Sequence, residues 1–113
     1  MPSLVTAIIK PFKLEEVKEA LRGAGIAGLT VSEVQGYGRQ GGKSETFRGA
    51  EYKIDFVPKV KLEVIIETSR VDEVVDLIAA AAKADKIGDG KIWTIDLGGL
   101  MRIRTGERGD DAI

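Results

Sequence analysis

The sequence predicts an α+β sandwich in which two helices cover one face of a four-stranded antiparallel sheet. Three observations point there. Short apolar, β-branched runs recur at 4–10, 29–38, 60–68 and 91–97, and two amphipathic stripes interrupt them in the order βαββαβ. The chain has 113 residues, enough for one domain with a modest core. Its composition, 43% hydrophobic and 31% charged, is that of a folded domain and not of a disordered chain.

Each element has its own signal. "LVTAIIK" (4–10) is closed by Pro11 and reads as a buried strand. From Leu14, the residues Leu14, Val17, Ala20, Leu21 and Ala24 recur at spacings of three and four. Two glutamates in the first turn and Gly23 and Gly25 at the end complete a helix. "LTVSEVQGYG" (29–38) alternates as a second strand, and "VKLEVIIET" (60–68) is a third. "VDEVVDLIAAAAK" (71–83) carries Val71, Val74, Val75, Ile78 and Ala82 on one helical stripe. "KIWTIDL" (91–97) is the fourth strand, "MRIRT" (101–105) reads as a short fifth, and the last residues form a polar tail. This order is the ferredoxin-like plan. Helices on one face leave the other bare, although "LEVII" and "IWTIDL" supply apolar residues to both, so a homo-oligomer is expected.

Composition narrows the chemistry. Net charge is −1, so any basic site is local and no general field draws the chain to nucleic acid or membrane. Cysteine and histidine are absent. Disulfides, thiolate catalysis, Cys/His zinc sites and imidazole bases go with them. No apolar run approaches the roughly 20 residues that span a bilayer, and the N-terminus lacks signal-peptide features. A cytoplasmic location is expected.

The connection between the second and third strands is out of proportion, at about twenty residues where loops beyond roughly 12–15 are uncommon. It reads as a binding arm. At its root, "GYGRQG" (36–41) matches G-x-G-x-x-G literally. A dinucleotide fingerprint must follow the first strand and open a helix, and this match does neither. A second glycine cluster, "IGDGKIW" (87–93), is not a Walker A loop, but Gly88 and Gly90 let successive N–H groups converge on an anion beside Lys91. Strand alternation in "RIR" would set Arg102 and Arg104 on one side, suited to a polyphosphate. Each has an ordinary structural explanation, a solvated turn or a charged edge strand. Together, Arg39, Lys59, Lys91, Arg102 and Arg104 match the charge of a triphosphate if they converge, within one chain or across a subunit boundary. No general base or paired carboxylates are legible, so binding without turnover is the physical expectation.

"AIIKPFKLEEVKEAL", "GYGRQGG…FRGAEYKIDFVPKVKLEV", "KIGDGKIW" and "RIRTGERG" together resemble the PII nitrogen-regulatory signal-transduction proteins across essentially the whole chain. The resemblance implies a single domain over 1–113, with a partner-binding loop at about 38–57, a nucleotide loop at about 83–91 and a C-terminal loop at about 102–113. It implies a homotrimer with ATP or ADP in clefts between subunits. Gly88, Asp89, Gly90 and Lys91 would hold the phosphates, Arg102 and Arg104 would enter from the neighbouring subunit, and Ile8, Thr30 and Glu63 would surround adenine and ribose. Gly38, Arg39 and Gln40 lie at the base of the long loop. The second ligand would be 2-oxoglutarate, met by Gln40, Gly42 and Lys59 beside a Mg²⁺ that Gln40 helps to hold.

The resemblance also implies a non-catalytic regulator that reports energy, carbon and nitrogen status through the loop. Its targets would include ammonium transporters, glutamine-synthetase-modifying enzymes, sensor kinases or acetylglutamate kinase, with no nucleic acid and no membrane contact except through a transporter. Tyr52 matches the tyrosine that many relatives have uridylylated or adenylylated. Some positions depart from the pattern: Ala50 removes a phosphorylatable serine, Gly41, Lys43 and Phe47 alter the loop, and Ala84-Asp85 replaces a frequent Thr-Gly. Asp at 85 tolerates left-handed backbone better than most residues. Two other classes compete, a slow ATP-hydrolysing enzyme and an RNA-binding ferredoxin-like module. The first lacks a general base, and the second lacks the aromatics and basic face it would need.

Overall fold

The computed structural model describes residues 1–37 and 56–113, together with the backbone of 46–47 and 50–51. Strand β1 (Pro2–Ile9) leads through a 3₁₀ turn (Pro11–Lys13) into helix α1 (Leu14–Gly23) and then strand β2 (Thr30–Gly36). Two short strands, β3 (Thr46–Phe47) and β4 (Ala50–Glu51), pair with each other. Strand β5 (Val57–Glu67), a 3₁₀ turn (Thr68–Arg70), helix α2 (Val71–Ala82) and strand β6 (Lys91–Asp96) follow. The main sheet runs β2-β5-β1-β6 with every neighbour antiparallel. That is the α+β sandwich expected.

Helix α1 begins where Pro11 presets the backbone for a turn and Glu15 and Glu16 face the helix N-terminus favourably. It stops at Gly25, at φ +84, while the Ile26 N–H bonds back to the Leu21 carbonyl at 3.0 Å. Alternation along β1 and β5 sends Val5, Ala7, Ile9, Val60, Leu62, Val64 and Ile66 beneath the helices, where they meet Val17 and Leu21 of α1 and Val74, Ile78 and Ala82 of α2. Each large aliphatic side chain buried in this way contributes roughly 1.5–3 kcal/mol. The core lies on that one side.

The opposite face is ordered by strand register. Leu4 lies between Ile65 and Ile95, Thr6 between Glu63 and Trp93, and Ile8 between Lys61 and Lys91. Ile65, Trp93 and Ile95 remain exposed there. The sequence expectation of an apolar face left bare is met.

Two expectations are corrected. Residues 101–105 are not a strand: Met101 and Arg108 form an isolated bridge around a turn. The Gly106 N–H bonds the Arg102 carbonyl at 2.8 Å, and Gly106 and Gly109 take positive φ to close the turn. The same-side argument for Arg102 and Arg104 therefore has no strand beneath it. Strand β5 also starts earlier than the expected residue 60, and includes Pro58. Pairing with β1 begins only at Val60, so β5 is an edge strand at Pro58, where a missing N–H is tolerated.

Among the described residues, no helix is long and apolar enough to cross a membrane.

Candidate functional site

The segment between α2 and β6 is shaped by three left-handed residues. Asp85, Gly88 and Gly90 have φ of 59°, 95° and 97°. At 85 an aspartate occupies the conformation that favours glycine, as its short polar side chain permits. At 90 only glycine fits for a second reason. A Cβ there would overlap the backbone carbonyl oxygen of Ile8 and lie 2.8 Å from its carbon. The loop thus rests directly on the backbone of β1.

Asp89 fastens the loop from within. Its Oδ2 accepts hydrogen bonds from the N–H groups of Ala84 and Asp85, each at 2.9 Å. Its Oδ1 lies 3.4 Å from Nζ of Lys10, which stands buried just beyond β1. The Ala84 amide above all, with the amides of Lys86 and Asp85 and the Lys10 ammonium, holds this carboxyl below its ordinary pKa against the opposing effect of burial. Lys59, buried on β5, donates its ammonium to the Gly88 carbonyl. Burial first, and then the neighbouring Lys10 charge, push the Lys59 pKa down, while Asp89 pulls the other way. Two lysines, one just past β1 and one on β5, therefore hold consecutive residues of one glycine loop.

A cavity of about 560 Å³ opens beside it, lined among others by Ile8, Lys59, Lys86, Gly88, Gly90 and Lys91. Among the described residues on its wall are three lysines and one carboxylate, Asp89, which is turned into its own loop. Such a surface suits an anionic ligand. A bare Mg²⁺ would be repelled here, so a metal would have to arrive with the oxygens of an anionic ligand, and the residues fit it in that form alone. Tyr37 and Trp93 flank the same cavity. The Tyr37 ring meets Phe56 edge-on at 5.6 Å, closing the neck where the chain leaves β2 and re-enters β5.

A second cavity, about 640 Å³, lies by the loop between α1 and β2 and includes Thr30, Glu63, Ile65 and Arg70. The two cavities have no lining residue in common. Of the residues singled out in the sequence, Ile8, Lys59, Gly88, Asp89, Gly90 and Lys91 therefore come together, Thr30 and Glu63 form a separate group, and Arg102 and Arg104 line neither cavity. Arg102 instead pairs with Glu107 at 3.0 Å and donates to the Ile113 carbonyl at 2.6 Å. Arg104 is exposed. Gly38, Arg39, Gln40, Gly42 and Tyr52 lie outside the described residues. Sequence reasoning missed Lys10 and Lys86. The first sits in "IIKPFK" as an ordinary strand-end lysine, and nothing local shows that it reaches Asp89.

Comparison with known proteins identifies one family. The family described as nitrogen regulatory protein P-II matches residues 3–107. The nitrogen regulatory protein GlnK of Escherichia coli K12 is 56% identical over 110 residues, covering 97% of this chain and 98% of that protein. The nitrogen regulatory protein P-II of Rhodobacter capsulatus is 57% identical over 109 residues, 96% of this chain and 97% of that protein. Among solved structures, Arabidopsis thaliana PII bound to citrate is similar with a TM-score of 0.82 and 36% identity, over 99% of this chain and 92% of that one.

Proposed function

The chain belongs to the P-II nitrogen regulatory proteins, signal-transduction regulators of nitrogen metabolism, and on that premise we propose that it is a non-catalytic switch read by ATP, ADP and 2-oxoglutarate. The observation that carries this reading is the glycine loop at Gly88–Gly90 beside a cavity lined by Lys59, Lys86 and Lys91. Its converging backbone and cationic wall suit the phosphates of a nucleotide.

Of the residues assigned to adenine and ribose, Thr30 and Glu63 line the other cavity while Ile8 lines this one, and the split favours a site built from two copies. In the proposed homotrimer the bare sheet face, with Leu4, Ile65 and Ile95 in one row, packs against neighbouring copies, and Arg102 and Arg104 enter from the adjacent subunit. The 2-oxoglutarate would bind through Gln40, Gly42 and Lys59. Mg²⁺, held by Gln40 and ligand oxygens, would supply the charge that joins keto acid to triphosphate. Ligand state would then bias the loop at 38–57, including Tyr52 as a modification site, toward or away from a target. Such targets are an ammonium transporter, a glutamine-synthetase-modifying enzyme or acetylglutamate kinase, met from the cytoplasm. A shift of this kind equals the ligands' differential affinity for the two loop states.

Calorimetry tests the reading. ATP affinity is expected to rise when Mg²⁺ and 2-oxoglutarate are both present, because the ligands share a metal. Gln40→Ala is expected to lose 2-oxoglutarate binding and keep ADP. Independent binding of the two ligands, or loss of ADP together with 2-oxoglutarate, would overturn it.

A further inference from the structure

We propose that Lys10 is a positioning residue for phosphate binding, acting through Asp89 to keep a carboxylate neutralised and turned away from the phosphate cavity. The inference rests on the nucleotide reading above and adds to it a residue that touches no ligand.

The geometry starts at the end of β1. Lys10 precedes a proline and takes extended backbone, φ −68° and ψ 139°, with its carbonyl accepting from the Lys13 N–H at 3.0 Å. Its backbone is therefore fixed. Its side chain is 9% exposed and ends 3.4 Å from Asp89 Oδ1. Asp89 Oδ1 is buried and forms no hydrogen bond among the described residues, and the Lys10 ammonium stands 3.4 Å from it. The other oxygen, Oδ2, ties the entry of the loop, Ala84 and Asp85, to the segment between its two left-handed glycines.

Asp89 lines the lysine-rich cavity itself. Were the Lys10 charge absent, a carboxylate with one bare oxygen would stand against an anion-binding space. Two costs would follow. The negative charge would oppose incoming phosphate, by an amount that grows with phosphate charge and is little screened at a site this close. The carboxylate would also be free to leave the Ala84 and Asp85 amides, so that the loop would have to be ordered again on binding. Lys59 also feels the Asp89 charge, but its ammonium donates to the Gly88 carbonyl, whereas Lys10 lies 3.4 Å from the Asp89 oxygen itself.

A merely structural lysine would weaken every ligand alike. A positioning lysine predicts an order. In Lys10→Met, ATP affinity measured by calorimetry is expected to fall about tenfold or more, ADP affinity by less, and adenosine affinity by under about twofold. The double variant Lys10→Met/Asp89→Asn removes the bare charge and is expected to bind ATP more tightly than Lys10→Met alone. Lys10→Gln, whose amide can still donate to Asp89, replaces methionine if that chain does not fold, with the same order expected. Equal losses for ATP and adenosine, or ATP affinity unchanged, would overturn the inference. A wild-type chain that binds no ATP would overturn the nucleotide reading beneath it, a distinct result.

Discussion

Gly90→Ala is expected to cost about 3 kcal/mol of stability and to lower ATP affinity at least about hundredfold. Two effects combine. An alanine at φ +97° is strained wherever it sits, and here its Cβ would also meet the Ile8 backbone. Backbone cannot rotate aside as a flexible side chain can, so the loop must lift from β1. Lifting it breaks the geometry that sets Gly88, Asp89 and Lys91 around the lysine-lined cavity. Chemical denaturation with calorimetry checks both parts, and Gly99→Ala, with open space around it, serves as the control. Wild-type ATP affinity in Gly90→Ala would mean that the seat on Ile8 is not needed for binding.

Ile95→Glu is expected to turn the proposed trimer into monomers. Ile95 is 53% exposed in the single chain, so a glutamate there leaves the helix-covered core intact. It lies beside Leu4, which in turn lies beside Ile65, and any partner packed on this row would bury the new charge without a counter-charge. A penalty of several kcal/mol for such burial exceeds what most interfaces can absorb. Light scattering at micromolar concentration should give the mass of one chain, where the proposed trimer of the unchanged protein would give three. A retained trimer would place the interface elsewhere.

The fold was legible because its signals are local. The stripe Val17–Leu21 and the stripe Val74–Ile78–Ala82 state their period within a few turns, and β-branched runs state theirs. The error at 101–105 has a local cause too. "MRIRT" alternates like a strand, but Gly106 and Gly109 turn the chain back before it finds a partner. The start of β5 was missed because Pro58 usually ends such a run, and only the sheet order reveals that its neighbour on one side has already stopped. At the site, the glycine loop was visible as residue types. The ion pair that steadies it was not, since Lys10 and Asp89 lie at opposite ends of the chain and meet through the pairing of β1 with β6.

The division of the predicted binding residues between two unconnected cavities has a consequence for heredity. If a cleft takes its loop from one copy and its Thr30–Glu63 wall from the next, a defect in Gly90 and a defect in Glu63 harm different halves. A cell making either variant alone would assemble rings with no working cleft. A cell making both would assemble hybrids in which the sound loop of one copy meets the sound wall of the other. Two alleles that each fail alone would then complement one another, and every mixed ring would carry one restored site.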